Sequence, residues 1–102
     1  MITPAQVQHS FAQHGLALHR YAKSPELCDR HACSGVDSTG RLVYLAAAQR
    51  TDFMVIVFPT MRAAARFRIV PELRGERRGN SVLLYLRSAR TRLAIVRRIF
   101  HA

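Results

Sequence analysis

Three groups of residues in this chain have types and spacings that chemistry could use. The densest is Arg74-Gly75-Glu76-Arg77-Arg78-Gly79-Asn80. Its glycines can turn backbone N–H groups toward an anion, and the arginines Arg74, Arg77 and Arg78 would add charge around it. The segment lacks the GxxxxGK[ST] of a P-loop and the GxGxxG of a dinucleotide fingerprint, so it offers positive charge without a nucleotide cradle. The competing use is structural, with glycines serving turns and arginines keeping a flanking strand in water.

The second group is the C-terminal stretch that carries Arg90, Arg97 and Arg98. Arginines on one exposed helical face can contact successive phosphates, and each phosphate neutralised releases counterions and makes binding salt-dependent. Against this stands the commoner case of a charged face that is simply solvated.

The third group is Cys28-Asp29-Arg30-His31-Ala32-Cys33. Two cysteines five positions apart in a loop can close a disulfide in an oxidising compartment and stay as thiols in a reducing one. Zinc would take Cys28, His31 and Cys33 and would need a fourth ligand such as His19, a spacing that matches no common zinc site. No metal and no cofactor is therefore expected.

Support for an enzyme is thin. Glu72 and Glu76 are four apart, but Pro71 and Gly75 argue against a shared helical face for a carboxylate pair. Ser10 and His14 are also four apart, with no acid in evidence to orient the histidine. The expectation is a protein without catalytic activity.

The charge has a definite distribution. The chain of 102 residues holds 16 Lys+Arg, all but Lys23 arginine, against 6 Asp+Glu, a formal net charge of +10. The preference for arginine over lysine fits a GC-rich coding sequence of bacterial type and says little about partners. The excess of base over acid says more, because it adds self-repulsion that an anionic partner would relieve. Residues 51–102 carry eleven arginines against Asp52, Glu72 and Glu76, and no acid follows Glu76. Residues 1–50 are nearly balanced, with five bases against three acids.

Length and composition limit the architecture that positions these groups. A chain of this length suits one α+β domain over 1–102, and 49% apolar residues exclude a disordered tail. The longest apolar run, Phe53 to Phe58, has strand length and cannot span a bilayer. The start, Met1-Ile2-Thr3-Pro4-Ala5-Gln6, has no export signal, so the default expectation is cytoplasmic. If a leader or anchor has been removed, the alternative is an envelope location.

The elements follow from pattern. Thr3 as N-cap, Pro4 at the first helical position, Gln6 as capping-box partner and Ile2 with Val7 as staple predict a helix over 4–14. Gly15 with Leu16 packing on Phe11 predicts its Schellman end. A strand over Leu16–Tyr21 should follow, then a long loop over 22–40. Leu42–Ala47 and Phe53–Phe58 read as strands around a hairpin-sized break, the second apolar at every position and so central. A helix over Met61–Arg68, a break through Pro71, Gly75 and Gly79, and a strand over Ser81–Leu86 come next. Ser88 then caps a helix over Ala89–His101, whose Ala89, Leu93, Val96 and Phe100 form an inward stripe with Ile99 at its edge.

The order α-β-β-β-α-β-α predicts a two-layer α+β sandwich of about four mostly antiparallel strands with three helices, a ferredoxin-like variant being the economical topology. Any strand edge left bare would offer a route to homo-oligomers. The aromatic residues fall mostly at core-like positions and no RNP, helix-turn-helix, KH or zinc-finger pattern appears, so nucleic-acid binding would rest on backbone charge. The functional expectation is a small binding domain whose partner is anionic, either a nucleic-acid backbone or an acidic protein surface. Arg74, Arg77, Arg78, Arg90, Arg97 and Arg98 would supply the charge. The alternative is a protein-interaction or structural domain of the cell envelope, its loop stapled by a Cys28 to Cys33 disulfide.

Overall fold

The computed structural model of the chain describes residues 1–21, 42–48 and 50–102. Cys28, Cys33 and the 22–40 loop lie outside the described residues, as do the disulfide and zinc readings that depend on them. Within those residues the chain forms helix α1 (Pro4–Ala12), then strands β1 (Leu18–Tyr21), β2 (Val43–Ala47) and β3 (Phe53–Val57). Helix α2 (Met61–Arg66), strands β4 (Leu73–Arg78) and β5 (Ser81–Leu86), a 3-10 turn (Arg87–Ala89) and helix α3 (Ala94–His101) complete it.

The sheet order is β1-β2-β3-β5-β4, and every neighbouring pair is antiparallel. The α+β class and the three helices are as the sequence pattern implies. The strand count is five where about four were expected, because β4 carries almost no apolar signal. A ferredoxin-like sheet needs parallel neighbours supplied by split βαβ units. Here β1 to β3 form a meander and the β4–β5 hairpin folds back so that β5 pairs with β3, leaving β4 at the edge.

The sheet has a core on each face. On one side Val7 and Phe11 of α1 and Val96, Ile99 and Phe100 of α3 pack on Leu45, Val55, Leu83 and Tyr85. On the other, Ala64 of α2 and Phe67 pack with Met54, Ile56, Val82 and Leu84. The expected two layers are thus extended by a short helix on the second face. Strand β3 is buried along its whole length, as a run apolar at both parities requires.

Helix α1 is closed at both ends by its own sequence. Thr3 accepts from the Gln6 N–H while the Gln6 side chain accepts from the Thr3 N–H, and Pro4 opens the first turn. At the C-terminal end Gly15 adopts φ +76°, and the N–H groups of Gly15 and Leu16 donate to Ala12 and Phe11. That pair of bonds is the Schellman end the sequence implies.

Helix α3 begins differently from the expectation. Ser88 does not cap it: the chain leaves β5 through the 3-10 turn, and regular α-helix starts only at Ala94, after Leu93, with no side-chain cap. The Arg87 N–H still donates to the Glu72 carbonyl, which ties the turn to the sheet edge and delays the helix. The inward stripe survives this shift, since Ala89, Leu93, Val96, Ile99 and Phe100 are all buried.

The segment expected to break through Gly75 and Gly79 is instead a hairpin. Gly79 takes φ +58° in the connection, a conformation that favours glycine. Asn80 beside it is buried, accepts from the Ile2 N–H and donates to the Ile2 and Phe58 carbonyls, while its own carbonyl accepts from the Phe58 N–H. One side chain therefore ties the chain start and the end of β3 to the β4–β5 turn. Gly75 makes no turn. A Cβ there would lie 2.1 Å from Cδ1 of Ile69, so any larger residue would have to move the end of that side chain off β4.

Candidate anion-binding rim

The two-residue period of β4 sorts its charges. Arg74, Glu76 and Arg78 stand opposite Tyr85, Leu83 and Ser81 in the β4–β5 register and face the α3 side. Leu73, Gly75 and Arg77 stand opposite Leu86, Leu84 and Val82 and face the α2 side. The three arginines that looked like one cluster in sequence are therefore divided between two faces.

Arg77 is engaged by the fold. Its guanidinium donates to the carbonyls of Ala64 (3.1 Å) and Phe67 (2.6 Å), closing the C-terminal end of α2. Arg78 similarly donates to the Phe100 carbonyl near the end of α3 (3.0 Å), where a cation also complements the helix dipole.

On the α3 side a single carboxylate sits at the centre. Glu76 Oε2 accepts from the Tyr85 hydroxyl (2.6 Å) and from Nε of Arg97, and Oε1 lies 2.6 Å from Nε2 of His101. The Arg97 guanidinium carbon lies 5.9 Å from the centre of the Tyr85 ring, and the Arg90 side chain lies near enough to the Tyr85 hydroxyl to oppose the rise in its pKa. Burial pushes the Glu76 carboxyl up, but the hydrogen bonds from Tyr85, Arg97 and His101 outweigh it and hold the group below its ordinary value of 4.5. Burial and the facing carboxylate raise the Tyr85 hydroxyl, and the bond to Glu76 raises Arg97 further. Glu76 is therefore ionised at neutral pH, with Arg97 charged beside it.

Two rim arginines remain uncommitted. Arg74 and Arg98 are exposed, and among the described residues neither has a side-chain hydrogen bond or ion pair. An open depression lined by Glu76, Ala94, Arg97, Arg98 and His101 lies between β4 and α3. A second groove, floored by Val7, Phe11, Ile99 and Phe100 between α1 and the end of α3, has Arg78 on its wall, and Ala102 borders both depressions.

A second acid of this half, Asp52, is also neutralised within the chain. Asp52 accepts two bonds from Arg50 and lies 3.5 Å from Nε of Arg92. Burial pushes its carboxyl up, and the Arg50 bond and the Arg50 and Arg92 charges bring it below the ordinary 3.8. With Asp52 and Glu76 both paired internally, the surplus of arginine falls to the surface.

Of the six arginines singled out from sequence, the structure groups Arg74, Arg90 and Arg97 around Tyr85 and Glu76, with Arg98 beside them and Arg78 at one end. It turns Arg77 away. Sequence reasoning missed Tyr85, Glu76 and His101 as members of the cluster, because no local spacing relates β4, β5 and the end of α3. It also passed over Arg62, Arg66 and Arg68, all exposed on or just after α2. Among the described residues no group of three or more His, Cys, Asp or Glu side chains could hold a metal ion, and no helix is long and apolar enough to cross a membrane.

No protein-family model matches the chain, and neither a curated protein nor a solved structure matches it.

Proposed function

We propose that this chain is a binding domain without catalytic activity for the phosphate backbone of a nucleic acid, contacted through the rim where β4 meets α3. The observation that carries the reading is the convergence of Arg74, Arg90, Arg97 and Arg98, from strand, turn and helix, on a surface where the Glu76 carboxylate is already paired. Arginine suits this task because its planar fork matches phosphate oxygens and stays charged at every working pH. No base-reading element is part of the proposal, so the domain should prefer polyanions over sequences.

Fluorescence anisotropy with labelled single-stranded and duplex oligonucleotides tests it. Binding should appear at low salt, and log K should fall linearly with log salt, by about 0.7 to 0.9 per phosphate contacted. Absent or salt-insensitive binding at low ionic strength would remove the reading. Polyglutamate serves as the competing acidic polymer. If it displaces the oligonucleotide at equal charge concentration, the partner is an acidic protein surface instead.

A further inference from the structure

Glu76 stands where an incoming anion would stand. Its two oxygens take up a hydroxyl from β5, a guanidinium from the middle of α3 and an imidazole from the end of α3. These donors come from two separate elements and converge on one oxyanion, the arrangement that also binds a phosphate oxygen. A carboxylate and a phosphodiester carry the same single charge and accept from the same fork.

We propose that Tyr85, Arg97 and His101 form a phosphate-binding pocket that Glu76 occupies in the free protein, so that a nucleic-acid phosphate must displace the Glu76 carboxylate to enter. The proposal rests on the nucleic-acid reading above and adds an internal competitor to it. Glu76 reaches the pocket from an edge strand, and its neighbours on the same face, Arg74 and Arg78, lie two residues to either side, about 7 Å along the strand. A lone phosphate ion would exchange one charge for another with little gain. A polyanion gains more, because phosphates held by Arg74 and Arg98 raise the effective concentration of the next phosphate at the pocket. The device favours long polyanions over small ones and lowers affinity below what the arginine count implies.

Oligonucleotide anisotropy on single and double variants decides it, with circular dichroism confirming the fold of each. Glu76→Gln should tighten binding by about three- to tenfold and steepen the salt slope by about one contact. Glu72→Gln, the same charge change at an exposed acid, should give less than a twofold gain. Arg97→Gln should weaken binding less in the wild-type background, where Glu76 competes for that arginine, than in the Glu76→Gln background, where it should abolish the gain. Glu76→Asp keeps the net charge but draws the carboxylate back from its donors, and should also tighten binding, which keeps the proposal testable if Glu76→Gln fails to fold. Equal gains from Glu72→Gln and Glu76→Gln, or no gain from Glu76→Asp, would overturn the proposal while leaving salt-dependent binding by the wild type intact. Absence of binding by the wild type and by every variant would overturn the nucleic-acid reading together with it.

Discussion

The two sides of β4 use arginine in opposite ways. On the α2 side Arg77 is bonded to two backbone carbonyls and completes a helix end, so its charge serves the fold. On the α3 side Arg97 and His101 meet a carboxylate while Arg74 and Arg98 have no side-chain partner among the described residues, so charge is left over for a ligand. Arg74 and Arg77 of one strand thus differ in role because their odd spacing sends them to opposite faces, while Arg78 closes the end of α3 much as Arg77 closes that of α2. Basic composition alone cannot separate a structural cation from an interacting one, and the partner of each guanidinium can.

The largest expected effect breaks both sides together. Asn80→Ala leaves the Ile2 N–H and the Ile2 and Phe58 carbonyls without their side-chain partner beneath the β4–β5 turn. Denaturant unfolding should show a loss of about 2–4 kcal/mol. A narrower break is Gly75→Val, which drives a branched side chain into Ile69 on the α2 side. It should cost about 1–3 kcal/mol, and the companion change Ile69→Ala should restore part of that loss.

Arg77→Ala sharpens the contrast itself. It should lower stability by about 1 kcal/mol through the lost carbonyl bonds, with little change in oligonucleotide affinity. The smallest effect concerns acid. Asp52 and Glu76 have folded-state pKa values below their ordinary 3.8 and 4.5, so the stability they contribute is present above those values. It is lost as pH falls through the folded-state values. Thermal midpoints should therefore decline below about pH 4.5, and Glu76→Gln should flatten that decline relative to the wild type.

The legible parts of this chain are those whose signals are local. The Thr3, Pro4 and Gln6 cap, the Gly15 end and the stripe from Ala89 to Phe100 all act within a few residues, and the structure reproduces them. Strand β4 was not legible, since Leu73-Arg74-Gly75-Glu76-Arg77-Arg78 has one large apolar residue and owes its extended form to pairing with β5. The Gly79-Asn80 pair suits a hairpin turn, but the polar stretch before it shows no apolar strand to pair with β5. The candidate site was half legible: the arginines were identifiable by charge. Their division between faces, and the joining of Glu76, Tyr85 and His101, depend on tertiary contacts 9 to 25 residues apart.

The most direct test of the two-sided account compares salt slopes for two charge-matched double variants. Arg74→Gln with Arg98→Gln removes the uncommitted pair on the α3 side, and Arg62→Gln with Arg66→Gln removes an exposed pair on α2. For a single-stranded oligonucleotide the first should reduce the slope of log K against log salt by about 1.4, the value for two phosphate contacts, and the second should leave it unchanged. Equal reductions in both, or a larger one on the α2 side, would contradict the assignment of binding to the rim between β4 and α3.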